Sequence, residues 1–250
     1  MRKFGLIGYP LSHSFSKKYF TEKFLREKIS DCSYENYPME NLTRLKEFIS
    51  ANPELCGLNI TIPFKKEILN YIDVTEQQVR EIGAVNVLKI KRTGGKIQIC
   101  GYNSDVTGIR DSIKPFFPDK GRNALIFGTG GSSGAVCYAL KKLGFKVSLV
   151  SRIKKPGVLT YQEINSKIMD NTDLIVNTTP LGMFPDITSK PEIDYNLLKE
   201  KHILFDLVYN PEITSFLMMG KQRGCKIVTG LKMLYSQAER SWEIWNDVNL

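Results

Sequence analysis

One stretch constrains this chain more than any other: Asn123-Ala-Leu-Ile-Phe-Gly-Thr-Gly-Gly-Ser-Ser-Gly-Ala-Val-Cys-Tyr-Ala-Leu140. A short apolar run, Ala124 to Phe127, meets four glycines, Gly128, Gly130, Gly131 and Gly134. Apolar residues then recur at Val136, Ala139, Leu140 and Leu143, the spacing of one helix face. Buried strand, glycine turn and helix is the order a dinucleotide-binding unit requires. The first glycine permits the tight turn, and the second lets the backbone approach a pyrophosphate. The helix N-terminus then offers N–H groups and a partial positive charge to the anion.

The match to G-x-G-x-x-G is incomplete. Gly128 and Gly130 fit, the third position is Ser133, and Gly134 comes one residue late. By itself the pattern also describes a plain strand-to-helix connection. A second strand, Lys146 to Val150, ends at Ser151-Arg152, about twenty residues past the turn, where such a unit places the residue that reads the ribose. An acidic residue there would favour NAD. Arg152, Lys154 and Lys155 stand there instead, which suits a 2′-phosphate and hence NADP, or else forms a solvated basic loop.

At 250 residues the chain has room for one large domain or two small ones. Hydrophobic content of 42% and charged content of 24% are ordinary for a globular protein. The net charge of +9 can draw phosphates, carboxylates or nucleic acid, but the basic residues are scattered, and nucleic acid is not expected as a partner. None of the five cysteines forms a C-x-x-C pair and only His13 and His202 are histidines, so no metal site is expected. Several of the cysteines fall in apolar contexts, as buried thiols in a reducing compartment do. The N-terminus has only a very short apolar run, and no stretch is long enough to span a membrane, so a cytoplasmic location is expected.

Strand and helix signals alternate along the chain. Phe4–Gly8 predicts a strand, followed by a polar loop and a helix beginning near Ser16, an N-cap type of residue. Leu55–Ile62 predicts a strand ending at Pro63, which can open a helix with Ile68, Leu69 and Ile72 inward. Val85–Ile90 and Lys96–Gly101 flank Thr93-Gly94-Gly95 and predict a hairpin. After Ser151 come strands at Asp173–Asn177, Ile203–Val208 and Lys226–Thr229, a helix at Ile213–Arg223 and a terminal helix at Leu231–Trp245. The pattern predicts an α/β fold with mostly parallel sheets and a boundary near residue 105.

Read together, the loops are similar to those of the shikimate dehydrogenase family. The resemblance rests on Gly8-Tyr-Pro-Leu-Ser-His-Ser-Phe-Ser16, Gly57-Leu-Asn-Ile-Thr-Ile-Pro-Phe-Lys65, Gly83-Ala-Val-Asn86, Gly101-Tyr-Asn-Ser-Asp105, Asn177-Thr-Thr-Pro-Leu-Gly-Met183, Asp206-Leu-Val-Tyr209 and Gly230-Leu-Lys-Met-Leu-Tyr-Ser-Gln237. Each is weak alone; their order along nearly the whole chain is specific. The resemblance implies two domains. Residues 1–105, rejoined by a C-terminal helix at 231–250, would form an N-terminal α/β substrate domain. Residues 106–230 would form a Rossmann-type, doubly wound domain for NADP.

It also implies reversible hydride transfer between NADPH and 3-dehydroshikimate, and with it roles for residues. Lys65 would donate the proton and Asp105 would orient it. Burial and Lys66 would lower the Lys65 pKa and Asp105 would raise it, a balance the sequence leaves open. Ser14, Ser16, Thr61, Asn86, Tyr209 and Gln237 would bind substrate. Gly128, Thr129, Gly130, Gly131, Ser132 and Ser133 would hold the pyrophosphate, Ser151 and Arg152 the adenosine phosphate, and Leu207 and Gly230 would flank the nicotinamide. Each polar residue also has a plain alternative as a helix cap, strand or surface position. Monomer and homodimer both fit, and related readings are a quinate dehydrogenase, an NAD enzyme, or a catalytically silent ligand-binding protein. The chain departs from the family pattern at Lys17, Tyr19-Phe20 and Ser151-Arg-Ile153. The segment between Arg152 and Asp173 is short, so one crossover helix is expected to be shortened or lost, on the adenosine side.

Overall fold

The computed structural model of the protein describes residues 1–11, 15–117 and 122–248. The chain divides into two compact units, one of residues 1–104 and 238–250, the other of residues 105–237.

The first unit contains β1 (Arg2–Gly8), α1 (Phe15–Arg26), β2 (Cys32–Pro38), α2 (Leu45–Ala51), β3 (Leu55–Ile60), β4 (Val74–Thr75), α3 (Gln77–Ile82), β5 (Val87–Thr93) and β6 (Lys96–Tyr102). Its six-stranded sheet has the order β2-β1-β3-β5-β6-β4. The β1 strand runs parallel to both neighbours, whereas β5 and β6 form the antiparallel hairpin, registered Thr93↔Lys96. Gly94 and Gly95 both take positive φ, 58° and 76°, as a two-residue hairpin turn demands. Both faces of this sheet are buried, and β1 shows the period of two that allows it. Phe4 and Leu6 face a cluster with Phe20, Tyr34 and Trp245; Ile7 faces Leu45, Ile49 and Leu58. Gly57 has a specific reason to lack a side chain, because the Trp245 indole fills the place of its Cβ and donates to the Leu88 carbonyl at 3.0 Å.

The second unit contains α4 (Asp105–Ile113), β7 (Asn123–Phe127), α5 (Gly131–Lys142), β8 (Lys146–Ser151), β9 (Leu159–Thr160), α6 (Ser166–Asp170), β10 (Leu174–Asn177), β11 (Ile203–Asp206), α7 (Ser215–Gln222) and β12 (Lys226–Val228). All six strands are parallel, in the order β12-β11-β10-β7-β8-β9. Numbered from β7, that is the 3-2-1-4-5-6 order of a Rossmann sheet, with its switch point between β7 and β10. Leu125, Phe127, Val150, Ile175, Leu204, Phe216 and Leu217 share its core. No helix among the described residues is long and apolar enough to cross a membrane.

The last helix, α8 (Gly230–Asn246), begins in the second unit and passes into the first at Ala238. Asp105 and residues 231–237 therefore group with the Rossmann sheet, where the sequence placed them with the first unit. The reason is local packing: a Cβ on Gly108 of α4 would lie 2.5 Å from the Met233 carbonyl, so α4 and the start of α8 touch backbone to backbone.

Two expectations of secondary structure need correction. Pro63 opens no α-helix. The Lys65 carbonyl, which a helix would give to Leu69, accepts from the Val85 amide at 2.7 Å, and only one 3-10 turn follows, Glu67–Tyr71. Helix α1 starts at Phe15, so Ser16 sits inside its first turn rather than capping it. The short crossover after β8 is as the sequence implied: β9, one 3-10 turn (Tyr161–Glu163) and the five-residue α6 stand where a full helix would fit.

Candidate active site

In the first unit a buried polar chain runs beneath the residues expected to meet substrate. Ser16 hydrogen-bonds the Tyr34 phenol, which burial holds far above its ordinary pKa and therefore protonated. Tyr34 Oη donates to Asn59 Oδ1 at 2.8 Å. Asn59 Nδ2 donates to Ser241 Oγ at 2.9 Å and to the Asn86 carbonyl at 3.3 Å. Ser241 and Ser104 share a hydrogen bond of 3.1 Å between their hydroxyls. Ser104 and Asn86 then exchange two bonds: the Ser104 amide donates to Asn86 Oδ1 at 2.7 Å, and Asn86 Nδ2 donates to Ser104 Oγ at 3.0 Å. Such a chain in a low-dielectric interior fixes each member's orientation, because breaking any link leaves a buried group unpaired.

This chain joins Ser16 to Asn86. Thr61 lies two residues beyond Asn59, and its amide bonds the Ile7 carbonyl at 2.9 Å. Lys65 is half-buried in the turn that the Val85 amide clamps, one residue before Asn86. Ser14 lies outside the described residues. Asn59, Ser104 and Ser241 were not singled out from sequence. Asn59 was findable, as it precedes Thr61 by the strand period within the quoted motif. Ser241 was findable only as one helical turn past Gln237.

In the second unit Asp105 opens α4 and is buried. Its carboxylate, at a helix N-terminus, is on the side the helix dipole favours. Gln237 is half-buried, and its Nε2 donates to the Leu234 carbonyl at 2.9 Å. Tyr209 follows β11, with its phenol pKa raised by burial.

The glycine-rich turn leaves β7 at the switch point. Gly128 takes φ of 109°, and a Cβ there would lie 2.7 Å from Thr178 Oγ1. Only glycine satisfies both conditions without strain. Gly130 is the N-cap of α5, carries no capping side chain, and has nothing within 4 Å of where its Cβ would be. The turn thus presents open space and uncapped N–H groups, Gly131 and Ser132 among them, to an anion. Ser133 replaces the third glycine and is accommodated by turning inward, its Oγ donating to the Gly130 carbonyl at 2.7 Å. Lys155 Nζ donates to Thr129 Oγ1 at 3.2 Å, which brings a cation onto the turn. Lys154 is taken by Glu163, whose carboxyl is held at about 2 by that lysine and by Thr160. Arg152 is exposed just past Ser151, whose Oγ accepts from the Ile153 amide at 3.2 Å. The groups a phosphorylated dinucleotide requires are therefore present.

The loops after β10 and β11 flank the other side of the switch point. Asp206, fully buried, is their junction. Its Oδ1 accepts from Asn177 Nδ2 and from the Val208 amide, both at 3.0 Å, and its Oδ2 accepts from Thr214 Oγ1 at 2.6 Å. Those bonds favour the carboxylate, yet burial outweighs them and pushes Asp206 up to about 6. Gly230 lies directly over the next loop, where a Cβ would meet the Leu207 and Val208 carbonyls at 2.6 and 2.7 Å.

Comparisons with known proteins agree with this architecture. Residues 6–88 match the family model described as the shikimate dehydrogenase substrate binding domain. A relative from Methanococcus aeolicus named shikimate dehydrogenase (NADP(+)) is 35% identical, covering 98% of this chain and 91% of its own. The chain belongs to the shikimate dehydrogenase family. A crystal structure of a shikimate dehydrogenase in complex with NADP+ superposes with a TM-score of 0.87 at 30% identity, over 98% of this chain and 90% of that one. The Thermus thermophilus family member, solved with NADP(H) and shikimate, gives 0.85 at 27% identity, over 98% and 94%.

Proposed function

We propose that this shikimate dehydrogenase family member catalyses the reversible, NADPH-dependent reduction of 3-dehydroshikimate to shikimate, a step toward chorismate and the aromatic amino acids. The observation that carries the reading is the glycine-rich turn at the switch point of a 3-2-1-4-5-6 sheet, in a chain whose relatives match it along nearly its full length.

When bound, the reduced nicotinamide supplies a hydride to the carbonyl carbon. Negative charge then develops on the carbonyl oxygen, and Lys65 gives that oxygen its proton. Asp105 orients the lysine and the new hydroxyl. Ser14, Ser16, Thr61, Asn86, Tyr209 and Gln237 hold the carboxylate and ring hydroxyls; the buried chain behind Ser16 and Asn86 sets their geometry in advance. Gly128 to Ser133 hold the pyrophosphate, Ser151 and Arg152 the 2′-phosphate, and Leu207 and Gly230 the nicotinamide. The first unit, residues 1–104 with 238–250, acts as the substrate domain and the second, residues 105–237, as the cofactor domain. In this reading the protein works in the cytoplasm as a monomer or homodimer, without nucleic-acid partners, which its free cysteines and scattered charge suit.

The test is an absorbance assay crossing shikimate and quinate with NADP+ and NAD+. Turnover greatest with shikimate and NADP+ is expected. Turnover only with quinate or only with NAD+ would replace the substrate or the cofactor in this reading, and none with any pair would leave a ligand-binding protein.

A further inference from the structure

We infer that Asp206 is a positioning residue that holds the loop after β10 and the loop after β11 in the one arrangement that grips the nicotinamide end of the cofactor. The inference rests on the cofactor assignment above. It begins from an anomaly of the sheet: β11 is apolar from Ile203 to Phe205 and fully buried, yet ends in a carboxylate with no solvent contact. A lone carboxylate there is costly, and no described cation pairs with it.

What it has instead is three donors from three chain segments. Asn177 ends β10, the Val208 amide lies in the loop leading to Tyr209, and Thr214 caps α7, its Oγ1 also accepting from the Leu217 amide at 3.3 Å. Asn177 passes the constraint onward. Its Oδ1 accepts from the Thr179 amide at 3.1 Å and from Thr179 Oγ1 at 2.6 Å, and its Nδ2 reaches the Leu181 carbonyl at 3.3 Å. One carboxylate therefore ties residues 177–181 to 206–208, at the carboxyl ends of adjacent parallel strands, where open sheets bind ligands. The position of Gly230 against the Leu207 and Val208 carbonyls adds the start of α8 to the same assembly.

All three partners donate, so the assembly is complementary to the ionised acid. Protonation would oppose at least one of them. Tyr195 feels the Asp206 charge; burial, Tyr161 and Asp206 all raise its pKa, so it stays neutral and adds no competing charge.

The experiment measures NADP+ dissociation constants by calorimetry for wild type and Asp206→Asn from pH 5 to pH 8, with adenosine 2′,5′-bisphosphate as a second ligand. The 2′-phosphate titrates near pH 6 in both proteins, so its effect cancels in the variant-to-wild-type ratio. At pH 8 the variant should bind NADP+ roughly tenfold more weakly, as expected for one or two lost hydrogen bonds. The ratio should shrink toward one at pH 5, and the bisphosphate, which has no nicotinamide, should show no difference at either pH. If the asparagine variant does not fold, Thr214→Val should show the loss at pH 8 and Thr214→Ser should retain wild-type affinity. A pH-independent ratio, or equal weakening of both ligands, overturns the positioning role and leaves the cofactor reading intact. A wild type that binds no dinucleotide overturns both.

Discussion

Ser104 and Asn86 hold each other by two hydrogen bonds, backbone amide to side-chain carbonyl at 2.7 Å and side-chain amide to hydroxyl at 3.0 Å, with both residues buried. The pairing ties the start of β5 to the end of β6 within the first unit. Asp105 follows in the chain immediately after a residue whose backbone amide is held by that bond.

Removing the acceptor from that pair has a calculable consequence. Asn86→Ala takes away the side-chain oxygen that the buried Ser104 amide bonds, at a cost of about 1–3 kcal/mol. The urea midpoint should fall with an unchanged slope, and shikimate should bind more weakly. An unchanged midpoint would mean that water reaches Ser104 and that the pair does not order the site.

Ser241 separates the two ligands. It joins Asn59 to Ser104 within the first unit, whereas the glycine-rich turn belongs to the second. In Ser241→Ala the KM for shikimate should rise roughly 5- to 50-fold, with the KM for NADP+ within about twofold of wild type. Equal effects on both would make the serine a general packing residue.

Arg152 tests the adenosine side. Lys154 is engaged by Glu163 and Lys155 by Thr129, whereas Arg152 is exposed at the end of β8. A charge-assisted bond to the 2′-phosphate contributes roughly 1.5–3 kcal/mol, so Arg152→Ala should raise the KM for NADP+ about 10- to 100-fold and leave that for NAD+ nearly unchanged. Parallel losses would remove the basis for the NADP preference.

Asp206 should also leave a mark on stability. Its pKa lies at about 6 in the fold against an ordinary 3.8. A raised carboxyl pKa means that the folded state holds the proton more tightly than the unfolded one. The stability linked to this group is therefore complete below about pH 4 and lost as pH rises through about 6, a difference of about 3 kcal/mol. Wild type minus Asp206→Asn in unfolding free energy should be greater at pH 4 than at pH 7 by about that amount. A flat difference would show that the carboxyl titrates normally.

Much of this was legible in the sequence because short-range physics decided it. Gly94-Gly95 can turn a hairpin by their own backbone freedom, and β7, the glycine turn and α5 follow from apolar spacing over eighteen residues of chain. What was not legible depends on distant partners. Pro63 invited a helix, but the Val85 amide, twenty residues on from Lys65, took the carbonyl such a helix needs. Ser241 and Asn59 look like ordinary surface-type residues until the fold brings them together across 182 positions. Asp206 stood inside a recognised motif, but only the sheet shows that it is buried and answered by three donors.

The most direct test of the account is kcat for Lys65→Ala, with shikimate and NADP+, followed by absorbance of the reduced nicotinamide. If Lys65 carries the proton, kcat should fall at least about 10²-fold while the shikimate dissociation constant stays close to wild type. A variant with near-normal kcat would contradict the account and remove the lysine from the chemistry.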